Sequence, residues 1–309
     1  MAKQLAEMKI LLLVNSAASS VTARRRVVIQ KVLSADHEVE LAMTTRRGHA
    51  DRLARAAASR GIDLVVVLGG DGTLNEAANG LVKTETALAV LPGGSTNVFA
   101  RTIGIPNDPI DAVGHLLEAL AQGAISRISL SSAAGRYFLF NCGIGFDAAI
   151  VKRVEEHSIW KRWAGHPFFI YATLNTWVRS QKRLRSPISV FDDNATLLAQ
   201  GKLVVVLNLN PYTFIGNRGF DLVPEVTLNA PLGVVTLPSL SMHRLLPVII
   251  QALSIGDVRN TRGAIVHTGQ HKLVIKSAQP VPYQIDGEHM KDTTRLEVNW
   301  EPDILKLVH

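Results

Sequence analysis

The chain is poor in cysteine, in aromatic residues and in long apolar runs, and each shortage closes off a class of protein. A single cysteine, Cys142, in 309 residues excludes an intramolecular disulfide framework and fits a reducing compartment. Its neighbours Phe140, Gly143 and Ile144 mark it as a buried, inert thiol rather than a nucleophile. The apolar stretches Ile10 to Val14 and Leu245 to Ile250 fall far short of the ~20 residues that a membrane span needs. The first is also too short for a signal-peptide core, so a soluble, cytoplasmic protein is expected. Acidic residues are outnumbered, 26 against 33 basic ones, giving a formal charge of +7. An excess of that size suits an anionic partner such as a nucleotide, a membrane surface or nucleic acid.

Several signatures are also missing. There is no G-x-x-x-x-G-K-[ST], so the chain is not a P-loop NTPase, and Gly143-Ile144-Gly145 lacks the third glycine of a dinucleotide fingerprint. No H-E-x-x-H or C-x-x-C occurs and the ten histidines are scattered, which argues against zinc. What is present is ample core material, 47% hydrophobic residues, in a length that suggests two domains.

From Lys9 to about Arg127 short apolar runs alternate with helix-like segments. Strands are expected at Ile10–Val14, Val39–Met43, Ile62–Leu68 and Ala87–Leu91, with helices at Arg24–Leu33, His49–Arg60, Leu74–Val82 and from Asn97. Such alternation implies a parallel sheet with ligands beyond the carboxyl ends of its strands. The Gly-rich turns fall there. The strongest is Gly69-Gly70-Asp71-Gly72-Thr73-Leu74-Asn75-Glu76. Its glycines allow positive φ and close approach of N–H groups to phosphate oxygens, and the helix start adds partial positive charge. Asp71 could bind Mg²⁺ or orient an acceptor hydroxyl, while Thr73 and Glu76 have the spacing of a capping box. A second turn, Pro92-Gly93-Gly94-Ser95-Thr96-Asn97, offers hydroxyls to the same phosphates. Weaker signals follow the first two strands, in the loop of Asn15, Ser16, Ala17, Ala18 and Ser19 and at Thr44 and Thr45.

After Ile128 the alternation stops and a β-sandwich to about Asn299 is expected, from strands at Tyr137–Cys142, Ile188–Phe191, Lys202–Leu209, Gly233–Leu237, His271–Ile275 and Arg295–Trp300. Asp192-Asp193-Asn194 is placed as a hairpin turn, and helices near Asp147–Arg179 and Ser241–Leu253 interrupt the strands. The domains are therefore drawn at residues 1–127 and 128–299, with the tail 300–309 packing back on the first. In Asp286-Gly287-Glu288, Asp-Gly is a favoured hairpin turn, and turn chemistry does not explain the second carboxylate. Two such groups can divide labour, one holding a hydroxyl or metal and one accepting a proton. Between residues 151 and 185, Lys152, Arg153, Lys161 and Arg162 interleave with Trp160, Trp163 and Trp177, a pattern that suits an anionic membrane interface.

Together these motifs resemble the bacterial diacylglycerol kinase-like lipid kinases, whose catalytic domain is shared with sphingosine and ceramide kinases. The resemblance rests on the Gly69–Glu76 block with Asn79-Gly80, on Leu91 to Arg101, on Gly143-Ile144-Gly145-Phe146-Asp147 and on Asp286-Gly287-Glu288. It implies an α/β nucleotide-binding domain, like that of NAD kinases and phosphofructokinases with a mostly parallel sheet, plus a C-terminal β-sandwich, with ATP in the cleft between them. It further implies that Gly70 to Glu76 and Ser95 hold the ATP phosphates, that Thr44 and the Asn15–Ser19 loop line the site, and that Mg²⁺ arrives with ATP near Asp71. Asp286 and Glu288 then match the family's catalytic carboxylates, one of them the base for a lipid hydroxyl. The implied partner is a lipid substrate at the inner membrane face, with no nucleic acid and with a homodimer through sandwich edge strands as an option. Two departures stand out. The family's Asn-Pro-x-x-Gly loop is Asn15-Ser16-Ala17-Ala18-Ser19 here, and its Asp-Asp-Gly metal segment is replaced around Leu232, so no structural Mg²⁺ site is expected. An NAD kinase shares the Gly-Gly-Asp-Gly turn but not the second turn or the Asp-Gly-Glu; a non-catalytic regulator would need no base.

Overall fold

The computed structural model describes residues 7–146, 148 and 187–309. The chain divides into two compact units, Met1–Leu130 with Pro302–His309, and Ser131–Glu301. The basic aromatic stretch 151–185, Asp147 and the helix expected at Asp147–Arg179 lie outside the described residues.

Unit 1 is built from β1 (Lys9–Val14), α1 (Ala23–Leu33), β2 (Glu38–Met43), α2 (His49–Ser59), β3 (Leu64–Gly69), α3 (Asp71–Leu81), β4 (Ala87–Pro92), α4 (Val98–Thr102), α5 (Pro109–Gln122) and the start of β5 (Ile125–Ala133). The four leading strands run parallel in the order β2-β1-β3-β4. Every residue of β3 and β4 is buried, as continuous apolar strands covered on both faces must be. Helix α5 follows from its local sequence. Asp108 caps it by accepting from Ile110 N–H at 2.8 Å, Pro109 opens it, and Gly123 closes it with φ of 69°.

Unit 2 is antiparallel, with β6 (Arg136–Phe138), β7 (Asn141–Gly145), β8 (Ile188–Phe191), β9 (Leu197–Gly201), β10 (Leu203–Leu207), β11 (Thr213–Ile215), β12 (Arg218–Phe220), β13 (Leu232–Leu237), α6 (Met242–Ser254), β14 (Ile265–Gln270), β15 (Lys272–Val281), β16 (Tyr283–Ile285), β17 (Glu288–His289) and the first part of β18 (Thr293–Val308). One sheet orders β18-β15-β8-β9 and the other β14-β13-β10-β7-β16-β17. They share a core in which Cys142, Ile144, Val204 and Val206 of one sheet meet Ile188, Val190, Leu273 and Leu296 of the other. That is the expected sandwich, and Cys142 is fully buried within it. The Asp192-Asp193-Asn194 turn joins β8 to β9 as expected.

Four expected elements differ, one of them the strand expected at His271–Ile275, which runs on to Val281. Helix α3 begins at Asp71, three residues early, so the Gly-Asp-Gly-Thr stretch is its first turn. The strand expected over Tyr137–Cys142 is split into β6 and β7, because Leu139 and Phe140 turn their N–H groups onto Asp286 instead of a neighbouring strand. The strand expected at Arg295–Trp300 runs on to Val308, and its end joins unit 1, where Leu307 pairs in parallel with Leu88 of β4.

Candidate active site

In unit 1 the loops after all four parallel strands gather at one edge. Asn15 N–H donates to the Leu68 carbonyl at 3.0 Å, Thr44 N–H to Val14 at 2.9 Å and Gly93 N–H to Gly69 at 2.7 Å. The two Gly-rich turns lie backbone on backbone. A Cβ on Gly94 would sit 2.8 Å from Gly70 Cα, and one on Gly93 would sit 3.0 Å from Gly69 Cα. None of these four glycines has positive φ, so conformational freedom is not why they are there. They permit the turns to touch. Gly72 is different: no atom lies within 4 Å of its would-be Cβ, leaving its face open to a ligand.

The two carboxylates of this block each serve another helix. Asp71 accepts from Val98 N–H at 3.0 Å and Phe99 N–H at 3.2 Å, and burial raises its pKa against the pull of those donors. Glu76 accepts from Gly48 N–H at 2.8 Å and Ala50 N–H at 3.1 Å, at the start of α2. The capping box expected of Thr73 and Glu76 is therefore not formed. Thr73 lies one turn too deep to cap, and its hydroxyl accepts from Asn15 Nδ2 at 2.9 Å. The start of α3, at Gly70, has no side-chain cap at all, which leaves first-turn N–H groups and the helix dipole for an anion.

A depression of about 340 Å³ opens beside that helix start, lined by Asn15, Ala17, Thr44, Thr45, Arg46, Arg47, Gly72, Thr73 and Glu76. Of the residues the sequence nominated, this brings together Asn15, Ala17, Thr44, Gly72, Thr73 and Glu76. Leu74 and Asn75 are not offered to a ligand: both side chains are 1% exposed in the core, and Leu74 N–H is bonded to the Gly70 carbonyl. Ser16, Ser19 and Ser95 are exposed and Ala18 half-buried, and none of them lines the depression. Arg46 and Arg47 were missed. Two cations directly after the second parallel strand, at the edge where ligands bind, were the signal.

In unit 2, Asp286 and Gly287 both have positive φ, 46° and 77°, and join β16 to β17 with Ile285 opposite Glu288. This is the tight hairpin that Asp-Gly favours. The Asp286 carboxylate is also buried, accepting from the N–H groups of Leu139 at 2.7 Å, Phe140 at 3.1 Å and Asn141 at 3.0 Å. Burial pushes its pKa up to about 7, against lowering by those donors and by Arg136. Glu288, half-buried, pairs with Arg136 at 2.6 Å. Behind the turn lies a polar layer that the sequence did not announce: Gln284 Nε2 donates to Asn141 Oδ1 at 2.7 Å, Gly287 N–H to Gln284 Oε1 at 2.7 Å, and Ser131 Oγ to Asn208 Oδ1 at 2.7 Å. Leu232, where the family's metal segment would fall, is buried in the sandwich core. Among the described residues no cluster of three or more His, Cys, Asp or Glu could hold a metal ion.

Residues 9–133 match the model of the diacylglycerol kinase catalytic domain. Over that stretch the chain is similar to the catalytic domain of the diacylglycerol kinase-like lipid kinases. It is 28% identical over 268 residues to the diacylglycerol kinase of Bacillus subtilis, covering 85% of this chain and 83% of that one. It is 29% identical over 264 residues to a YegS-like lipid kinase of Pseudomonas putida, covering 82% and 79%. A crystal structure of a diacylglycerol kinase from Bacillus anthracis superposes over 98% of this chain and 97% of its own with a TM-score of 0.71; at 20% identity that likeness speaks for the fold. The matched domain and the kinase-named relatives support a phosphotransferase with an alcohol acceptor, and such a kinase likeness implies the use of ATP. No helix among the described residues is long and apolar enough to cross a membrane.

Proposed function

We propose that this chain transfers the terminal phosphoryl group of Mg²⁺-bound ATP to the hydroxyl of diacylglycerol or a related lipid alcohol, with Glu288 as the base. The observation that carries the assignment is the contrast between the two carboxylates. Asp286 spends its oxygens on three main-chain N–H groups inside the sandwich, whereas the Glu288 side chain is 21% exposed and held in place by Arg136. A hydroxyl can reach the second and not the first. Asp286 then sets the turn that presents Glu288. In unit 1 the open face of Gly72, the uncapped start of α3 and the hydroxyls of Thr44 and Thr45 support a nucleotide-phosphate site. Arg46 and Arg47 supply the positive charge for it. Mg²⁺ would offset charge on the transferring phosphoryl group, so the base need only take a proton late in the reaction.

The test is incubation with labelled ATP, Mg²⁺ and mixed micelles carrying diacylglycerol, sphingosine or ceramide, beside soluble NAD. Label is expected on a lipid, foremost diacylglycerol. Label on NAD alone overturns the reading, and label on nothing favours a non-catalytic regulator.

A further inference from the structure

Helix α6 is apolar over more of its circumference than unit 2 covers. Its inner stripe, Val248 and Ala252, packs with Val205, Leu207, Val235 and Leu237 of the strands beneath. Met242, Leu246, Ile249 and Ile250 follow at i, i+4, i+7 and i+8 and form a second stripe. These four are 48%, 49%, 41% and 54% exposed, and Ile255, just past the helix, is 71% exposed. Single exposed apolar residues are ordinary, but a contiguous stripe marks a contact surface.

The helix carries a cation and no acid, and the acids beside its far end, Glu225 and Asp257, are both paired with Arg259 while Asp221 accepts from Asn210 Nδ2. No acidic residue occurs from Val226 to Gly256, while Arg244 on α6 is exposed. Gly263 fits so closely that a Cβ there would lie 2.2 Å from the Arg244 carbonyl oxygen, which puts exposed Arg262 beside it. Strand β12 packs on α6 and carries exposed Arg218 at the tip of the β11–β12 hairpin, beside Ile215, which is 48% exposed. That hairpin is tied to the carboxylate turn. Asn141 Nδ2 donates to the Tyr212 carbonyl at 3.3 Å, and Asn141 N–H donates to Asp286.

We propose that the outer stripe of α6 and the tip of the β11–β12 hairpin dock on an anionic lipid bilayer. The apolar side chains enter the head-group boundary, and Arg218, Arg244 and Arg262 face lipid phosphates. A second copy of the chain on the same face would bring Arg244 and Arg262 against their own counterparts with no acid in the helix to offset them. The inference rests on the lipid-acceptor reading for its purpose, since a bilayer is where such an acceptor resides; its evidence is the surface itself.

The test uses the full chain and vesicles of phosphatidylcholine with or without phosphatidylglycerol, read by flotation. Two double variants are compared with wild type, Leu246→Gln with Ile250→Gln, and Arg244→Glu with Arg262→Glu, each checked for an unchanged melting profile. Wild type is expected to float with the anionic vesicles, and each variant to bind at least about tenfold more weakly. Phosphorylation of long-chain diacylglycerol in vesicles should fall in parallel, while that of a short-chain, water-soluble diacylglycerol stays unchanged. Variants that float as wild type does overturn the proposal. So does a wild-type dimer, seen by sedimentation, that the Leu246→Gln/Ile250→Gln variant converts to a monomer without loss of vesicle binding. If vesicle binding responds as expected but no lipid is phosphorylated by any form, the acceptor reading fails and the docking surface stands.

Discussion

Gly72 and Gly94 look alike in the sequence and do different work in the fold. A methyl group on Gly94 collides with main chain on the facing turn, and rigid backbone cannot yield as a side-chain end can. Gly94→Ala should lower the melting temperature, at a cost of about 1–3 kcal/mol, and raise the KM for ATP with it. Gly72→Ala meets no protein atom and should leave the melting temperature unchanged or slightly higher, because Ala suits a helix better than Gly by up to ~1 kcal/mol. Its KM for ATP should still rise if phosphate uses that face. The carboxylates of unit 2 separate by similar reasoning. Glu288→Gln should keep ATP binding and lose about 10²–10⁴-fold in kcat; a variant that stays fully active removes Glu288 as the base. Asp286 has a folded-state pKa of about 7, above that of an unfolded aspartate. Its stabilising contribution is therefore complete below the unfolded value and is lost as pH rises toward and through 7. The melting-temperature gap between wild type and Asp286→Asn should narrow from pH 5 to pH 8, and a gap that widens would refute the buried neutral acid.

At the scale of elements, two helices of unit 1, α2 and α4, are capped from outside their own sequence. Asp71 at the start of α3 serves α4, and Glu76 one turn later serves α2. A capping box read from Thr-x-x-Glu spacing assumes that a carboxylate turns back on its own helix. Here α2 and α3 pack closely enough that a Cβ on Gly80 would lie 2.5 Å from the Asp51 carbonyl oxygen, and the nearer donors belong to the neighbour. Glu76→Ala should cost about 0.5–2 kcal/mol through α2, seen as faster amide exchange at Gly48 and Ala50. Where capping is local the sequence is explicit: Asp108, Pro109 and Gly123 delimit α5, and the strand-rich runs of unit 1 lie within two residues of their expected limits. The break between β6 and β7 was not legible, because its cause is a carboxylate about 146 positions away.

For the whole molecule, the last eight residues complete a unit whose other strands were laid down before residue 131. Leu305, Leu307 and Val308 are buried, Lys83 N–H donates to the Ile304 carbonyl at 2.7 Å, and His309 N–H to Ala124. Burial of three such side chains contributes about 1.5–3 kcal/mol each, comparable with the whole stability of an ordinary domain. Deletion of residues 302–309 should leave unit 1 unfolded or readily cut by protease within residues 7–130, while unit 2 keeps its resistance. Equal protease resistance of the shortened chain would show that the final strand is dispensable.

The sequence by itself determined the α/β-then-β division, the sandwich and the hairpin at Asp286-Gly287, because periodicity and turn chemistry act over a few residues. Only the tertiary structure decided what each polar group does. It turned Asp71 and Glu76 onto foreign helices, put Gly70 against Gly94, drew Arg46 and Arg47 to the depression beside Thr44 and Gly72, and buried Asp286 under three amides while leaving Glu288 partly exposed. Those outcomes depend on which donor or backbone lies nearest in space, and for residues 24 to 147 positions apart no local pattern records the distance.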